Sequence, residues 1–122
     1  MSEGARNEAT TGVRRRGLRA VLGRWPVRRV LVRGASMVPT LRDRDVVLLR
    51  VGGRPAAGSV VLVRWPGRPG QLSVKRAVRP EGPGWHVEGD NGFGSTDSRE
   101  LGPAEVVGSV RWRLWPNPGR VR

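Results

Sequence analysis

From Val27 to Trp115 the chain keeps one texture: short runs of valine and leucine, interrupted by arginine or a small polar residue and cut by glycine and proline. VRRVLVR (27–33), DVVLLRV (45–51), SVVLVRW (59–65), QLSVKRAV (71–78), WHVEG (85–89) and EVVGSVRWRLW (105–115) each have the length and β-branched content of a strand. GGRP, WPGRPG, RPEGPG and GDNGFG supply turn signals between them. The pattern predicts a mostly β fold, a compact antiparallel β domain with little helix.

Two connections are not simple hairpin turns: GASMVPTLRD (34–43) and GDNGFGSTDSRELG (89–102). Loops beyond about 12 residues without structure of their own are uncommon in compact domains, so chemistry is expected on the second. Residues 1–17 are small, polar and charged and read as a disordered tail, and residues 18–24 as a short helical turn ended by Pro26. The expected division is a basic N-terminal tail over 1–24, a β domain over 25–116 and a C-terminal tail over 117–122.

Composition narrows the function classes. A length of 122 residues allows one domain with a modest core, and 18 glycines plus 10 prolines fit a turn-rich one. The absence of cysteine excludes a disulfide scaffold, a thiolate zinc site and a cysteine nucleophile. A net charge of +13 invites a polyanionic partner. Yet there is no zinc-finger spacing, aromatic RNA-binding signature or basic helix with heptads, so no specific nucleic acid is expected. Weak attraction to an anionic membrane surface is the expected by-product of the charge. No apolar run reaches the roughly 20 residues of a membrane span, LRAVLGRWPVRRVLV (18–32) being broken by four arginines and a proline. The start lacks the basic-then-apolar pattern of a secretory signal. The expectation is a cytoplasmic chain without a transmembrane anchor, at most peripheral at the inner face of the membrane.

Lys75 is the single lysine among 23 basic residues, the others being arginine. Lysine, unlike arginine, can be made neutral by burial, which makes Lys75 a candidate proton acceptor; an exposed cation is the plainer alternative. Strand alternation puts Ser73, Lys75 and Ala77 on one face and Leu72, Val74, Arg76 and Val78 on the other. Ser36, in GASMVPTL, follows small residues that let a substrate carbonyl approach, and Pro39 stiffens the backbone after it. It reads equally as the N-cap of a short helix over 37–41. The single histidine, His86, lies between Trp85 and Val87 in a strand, and nothing around it marks a catalytic base. A Ser-Lys pair performs the same acyl-transfer chemistry as a Ser-His pair.

The order GASMVPTL, DRDVVLL, SVVLV, VKRAV, GDNGFGSTDSRELG and VVGSV resembles the type I signal peptidases and their relatives, a family of Ser-Lys endopeptidases, over about residues 30–113. The resemblance implies Ser36 as nucleophile, with its amide N–H as oxyanion donor, and Lys75 as general base. It implies Ser95 as the hydroxyl that orients the lysine, and Asp97 and Arg99 as a supporting ion pair. Gly89, Asp90 and Asn91 match the turn opening the loop, and Met37 and Pro39 shape the nucleophile segment.

Three features depart from the family pattern. Gly34 stands where a hydroxyl residue often supplies a second oxyanion donor, Arg44 stands where glycine is usual, and no N-terminal anchor is expected from the sequence. These departures resemble the small anchorless proteases that remove the leader of nickel-containing superoxide dismutase. The resemblance thus implies a serine endopeptidase that needs no cofactor or metal, with an N-terminal leader-bearing precursor as partner. The alternatives are a signal peptidase acting on secretory precursors, a self-cleaving repressor-type peptidase, and a non-enzymatic basic nucleic-acid-binding β module.

Overall fold

A computed structural model describes residues 26–122. The expected N-terminal tail and helical turn lie outside the described residues. Seven strands form one sheet: β1 (Val27–Leu31), β2 (Val46–Val51), β3 (Val60–Trp65), β4 (Arg68–Glu81), β5 (Gly84–Glu88), β6 (Glu105–Trp115) and β7 (Gly119–Arg120). Their order is β1-β2-β6-β3-β4-β5, with β7 against β6, and every pairing is antiparallel. The expected mostly β, antiparallel class is the class observed. The one helix among the described residues is a single turn, α1 (Ser98–Leu101), within the long loop expected to lack structure.

β3 explains why VVLV reads as an unbroken apolar run: it is buried on both faces. Val60 and Leu62 enter one cluster with Val32, Met37, Leu41, Val47, Leu49, Val110 and Val121. Val61 and Val63 enter a second with Trp65, Ala77, Val87 and Ala104. Such a strand loses the polar alternation of a half-solvated one. β4 outruns its expected 71–78 at both ends. The WPGRPG and RPEGPG turns shrink to Pro66–Gly67 and Gly82–Pro83, and the flanking residues pair as Trp65 with Arg68 and Glu81 with Gly84. Residues 117–122, expected from the sequence to trail as a tail, contain β7 and place Val121 in the first cluster.

The turn into β2 is where Arg44 stands. Its N–H donates to Val32 O at 2.7 Å, and it adopts φ 75°, the left-handed region that favours glycine. Its side chain is 85% exposed, so nothing packed is lost with it. An L-residue in this region costs about 1–2 kcal/mol, partly offset by the greater chain entropy glycine loses on folding. Arg44→Gly is therefore expected to raise stability by roughly 0.5–1 kcal/mol, read as a higher urea midpoint at unchanged slope.

Candidate functional site

Strand register settles where Lys75 points. It lies opposite Val61 on β3 and shares a face with Ala77, both members of the second cluster, so the alternation read from sequence is the one observed. The side chain is buried at 4% exposure. Its Nζ donates to Ser95 Oγ at 3.3 Å, and Ser95 Oγ donates onward to Asp97 Oδ2 at 2.9 Å. Burial pushes the Lys75 amine below the ordinary lysine value, with Arg99 adding to the shift and the Asp97 charge opposing it. A neutral amine with one N–H committed to Ser95 keeps a lone pair to take a proton.

Asp97 organises the loop around that amine. Its carboxylate is fully buried. Oδ2 accepts from Gly89 N–H at 2.9 Å and from Arg99 Nη2 at 2.7 Å; Oδ1 accepts from Arg99 Nε at 3.0 Å and Arg99 N–H at 3.1 Å. Burial alone would raise its pKa. The hydrogen bonds from the Arg99 side chain, the Gly89 and Arg99 amides and Ser95 outweigh it and hold the carboxyl well below the usual carboxylate range. The same side chain caps α1, which is why DSRE turns once at that point.

Ser36 reaches this loop through its backbone. Asn91 N–H donates to Ser36 O at 2.9 Å and Asn91 Nδ2 to Ala35 O at 3.0 Å, clamping the carbonyls on either side of the Ser36 Cα. Met37 and Leu41 are locked into the first cluster, and Leu41 N–H donates to Met37 O at 2.9 Å across Pro39. The segment is one closed turn, not the short helix that an N-cap serine would open. Among the described residues neither the Ser36 N–H nor its hydroxyl has a hydrogen-bond partner, Lys75 included. Catalytic hydrogen bonds of this kind often form only in the substrate complex. Gly34, φ 83°, commits its N–H to Asp43 Oδ1 at 2.7 Å and so is not an oxyanion donor in this conformation.

Two residues not singled out from sequence complete the frame. Arg76, on the opposite face of β4 from Lys75, holds Asp90 with Nη2 to Oδ2 at 2.6 Å and Nε to Oδ1 at 3.2 Å. Thr40, in the turn that carries Ser36, donates its hydroxyl to the same carboxylate. Asp90 was expected only to shape a turn; it ties that segment to β4. Burial opposes its ionisation, and the Arg76 and Thr40 hydrogen bonds with the Arg76 charge still lower its pKa. The available signal was positional, because the β4–β5 register sets Arg76 opposite Glu88, two residues before Asp90. His86 is buried, with Nδ1 3.1 Å from Glu81 and Nε2 2.7 Å from Glu88, so both ring nitrogens are engaged away from Ser36. A cleft of about 250 Å³ between β1, β2 and β6, lined by Val27, Leu48, Arg50 and Trp112 among others, includes none of the candidate site residues.

Residues 26–111 match the family model described as Peptidase S24-like. The chain is 34% identical to mitochondrial ATP-independent inner membrane protease subunit 1b of Arabidopsis thaliana, over 68% of this chain and 67% of that protein. It is 32% identical to subunit 1a from the same plant, over 79% and 75%. It is also 32% identical to mitochondrial inner membrane protease subunit 1 of Xenopus tropicalis, over 71% and 68%.

Gly89 is the tightest point of the site. A Cβ there would collide with Ser95 Oγ and lie 2.6 Å from Ser36 O and 2.7 Å from Ser95 Cβ. At Gly92, three residues on, a Cβ would meet nothing within 4 Å. Gly89→Ala is therefore expected to lower kcat/KM on any cleaved substrate by about 10²-fold through misplacement of Ser95 and Ser36, while Gly92→Ala stays within about twofold. Steady-state kinetics of the two variants, with circular dichroism to confirm folding, checks the contrast.

Proposed function

From the premise that this chain belongs to the Peptidase S24-like family and is a signal-peptidase-like peptidase, we propose that it is a Ser-Lys endopeptidase with Ser36 as nucleophile and Lys75 as general base. The observation that carries the reading is the buried amine of Lys75, its proton affinity lowered by burial, on a hydroxyl that Asp97 fixes within a loop clamped to Ser36. Ser36 Oγ attacks the scissile carbonyl as its proton passes to Lys75 Nζ. The tetrahedral intermediate, its oxyanion facing the Ser36 N–H, collapses to an acyl-enzyme as Lys75 returns the proton to the leaving amine. Water activated by the again neutral Lys75 then releases the acyl group and regenerates Ser36. Ser95 orients the amine, and Asp97 with Arg99 holds Ser95.

The substrate of this reading is an extended segment of a precursor protein, docked beside an exposed strand so that its leader is cut away. Nickel-type superoxide dismutase precursor is the first candidate, on the strength of sequence texture. Weak association with an anionic membrane surface belongs to the same reading. Exposed Leu31, Trp112 and Trp115, together with exposed Arg28, Arg29 and Arg111 on the same strands, β1 and β6, support it. Cosedimentation with vesicles should then rise with anionic lipid content and fall with salt, and binding indifferent to both would dismiss the association.

Incubation of a leader-bearing nickel superoxide dismutase precursor with the parent, Ser36→Ala, Lys75→Ala and Lys75→Arg tests the chemistry. The parent should release the leader, and each variant should lose about 10³-fold or more, Lys75→Arg included because arginine keeps its proton. A variant as fast as the parent would sink the dyad. Cleavage of a secretory precursor alone, by the parent alone, would change the substrate and keep the chemistry. Because the Lys75 pKa is lowered from 10.5, the neutral amine accumulates as pH rises, so parent kcat/KM should climb through an alkaline limb that ends below that value.

A further inference from the structure

Phe93 is the single phenylalanine of the chain, and its side chain is fully exposed. Among the described residues, the other large apolar side chains that reach solvent are all at least partly covered, Trp115 being the most open of them at 58%. A ring left wholly in water forgoes the stabilisation its burial would give, so its position matters. It sits between Gly92 and Gly94 in the turn that carries Asn91 at one end and Ser95 at the other. Asn91 clamps the Ala35 and Ser36 carbonyls; Ser95 accepts from Lys75. The backbone beneath the ring is also fixed, with Phe93 N–H donating to Asn91 Oδ1 at 3.0 Å and Gly94 N–H to Asn91 O at 3.3 Å. An exposed apolar side chain thus stands on a turn pinned at both ends to the residues of the candidate dyad.

We propose that Phe93 is a substrate-binding residue that covers an apolar side chain of the polypeptide close to the scissile bond. The proposal rests on the Ser-Lys peptidase reading and adds a determinant of specificity to it. Its reach follows from chain geometry. Phe93 lies two positions along from Asn91, whose amide touches Ser36 O, and two positions span at most about 7 Å. An extended substrate advances about 3.3 Å per residue, so the ring meets a side chain within roughly four positions of the cleaved bond. The aromatic face takes aliphatic and aromatic groups and gives no hydrogen bond to a polar one. Because the ring contacts no reacting atom, its contribution is to binding, and its loss appears in KM rather than kcat.

The test is a cleavage-site profile. A proteome-derived peptide library is digested with the parent, Ser36→Ala, Phe93→Ser and Phe93→Leu, and the cut sites are mapped by mass spectrometry. The proposal expects Ser36-dependent parent cuts enriched for an apolar residue at one fixed position within four of the bond. It expects that enrichment to vanish in Phe93→Ser and return in Phe93→Leu. On a peptide drawn from the parent profile, Phe93→Ser should lose about ten- to thirtyfold in kcat/KM through KM, with an unchanged melting temperature because the side chain touches nothing. A Phe93→Ser profile and rate that superpose on the parent's overturn the proposal and leave the peptidase reading intact. So does unchanged peptide cleavage with lost binding to anionic vesicles, which would make Phe93 a lipid contact. A library without a single Ser36-dependent cut removes the peptidase reading, and the proposal with it.

Discussion

One buried carboxylate, Asp97, is the interaction on which the local architecture hangs. It accepts five hydrogen bonds, from Gly89, Ser95 and three nitrogens of Arg99, and no water is needed to satisfy it. A buried carboxylate is tolerated only when its charge is met this fully, and the arrangement is cooperative in the sense that each donor fixes a different stretch of chain. Gly89 follows β5, Ser95 faces the lysine, and Arg99 lies within the single helical turn. The loop that looked structureless in sequence is folded around one charge. That charge would by itself hold a proton on Lys75; burial and the Arg99 charge act against it, and the balance leaves the amine easier to deprotonate.

A second ion pair does for the Ser36 turn what the first does for the lysine. Arg76 and Asp90 lie on the far face of β4, and Thr40 brings the turn after Ser36 into their company. Neighbouring positions of one strand, 75 and 76, therefore serve two anchoring systems on opposite sides of the sheet. The cation that stays charged supports the frame, while the cation that can be neutral faces the candidate chemistry.

The sequence made the strands legible because short β-branched runs between glycine and proline carry their own punctuation, and Lys75 was placed correctly by alternation alone. Less was legible where tertiary contact overrides local signal. β7 is two residues long and exists because Val121 has a core to enter. The helical turn after Asp97 depends on a cap whose carboxylate is occupied from several directions. Arg44 gives no hint in its side chain that its backbone is left-handed; only the demands of the β1–β2 connection impose that. Asp90 looked like a turn former because the partner that gives it a role, Arg76, is recognisable only once the hairpin register is known.

β3, buried on both faces, divides the interior into two compartments, and the candidate reactive groups are rooted one in each. Ser36 is carried by a turn whose Met37 and Leu41 belong to the first cluster, whereas Lys75 stands over Val61 and Ala77 of the second. Their alignment is therefore a property of the wall between compartments rather than of either one. Loosening on one side would shift one partner relative to the other while the opposite side stays packed. Such a molecule can go out of tune before it comes apart, so its working temperature range would be set by the fit between two interiors and not by the melting of the whole.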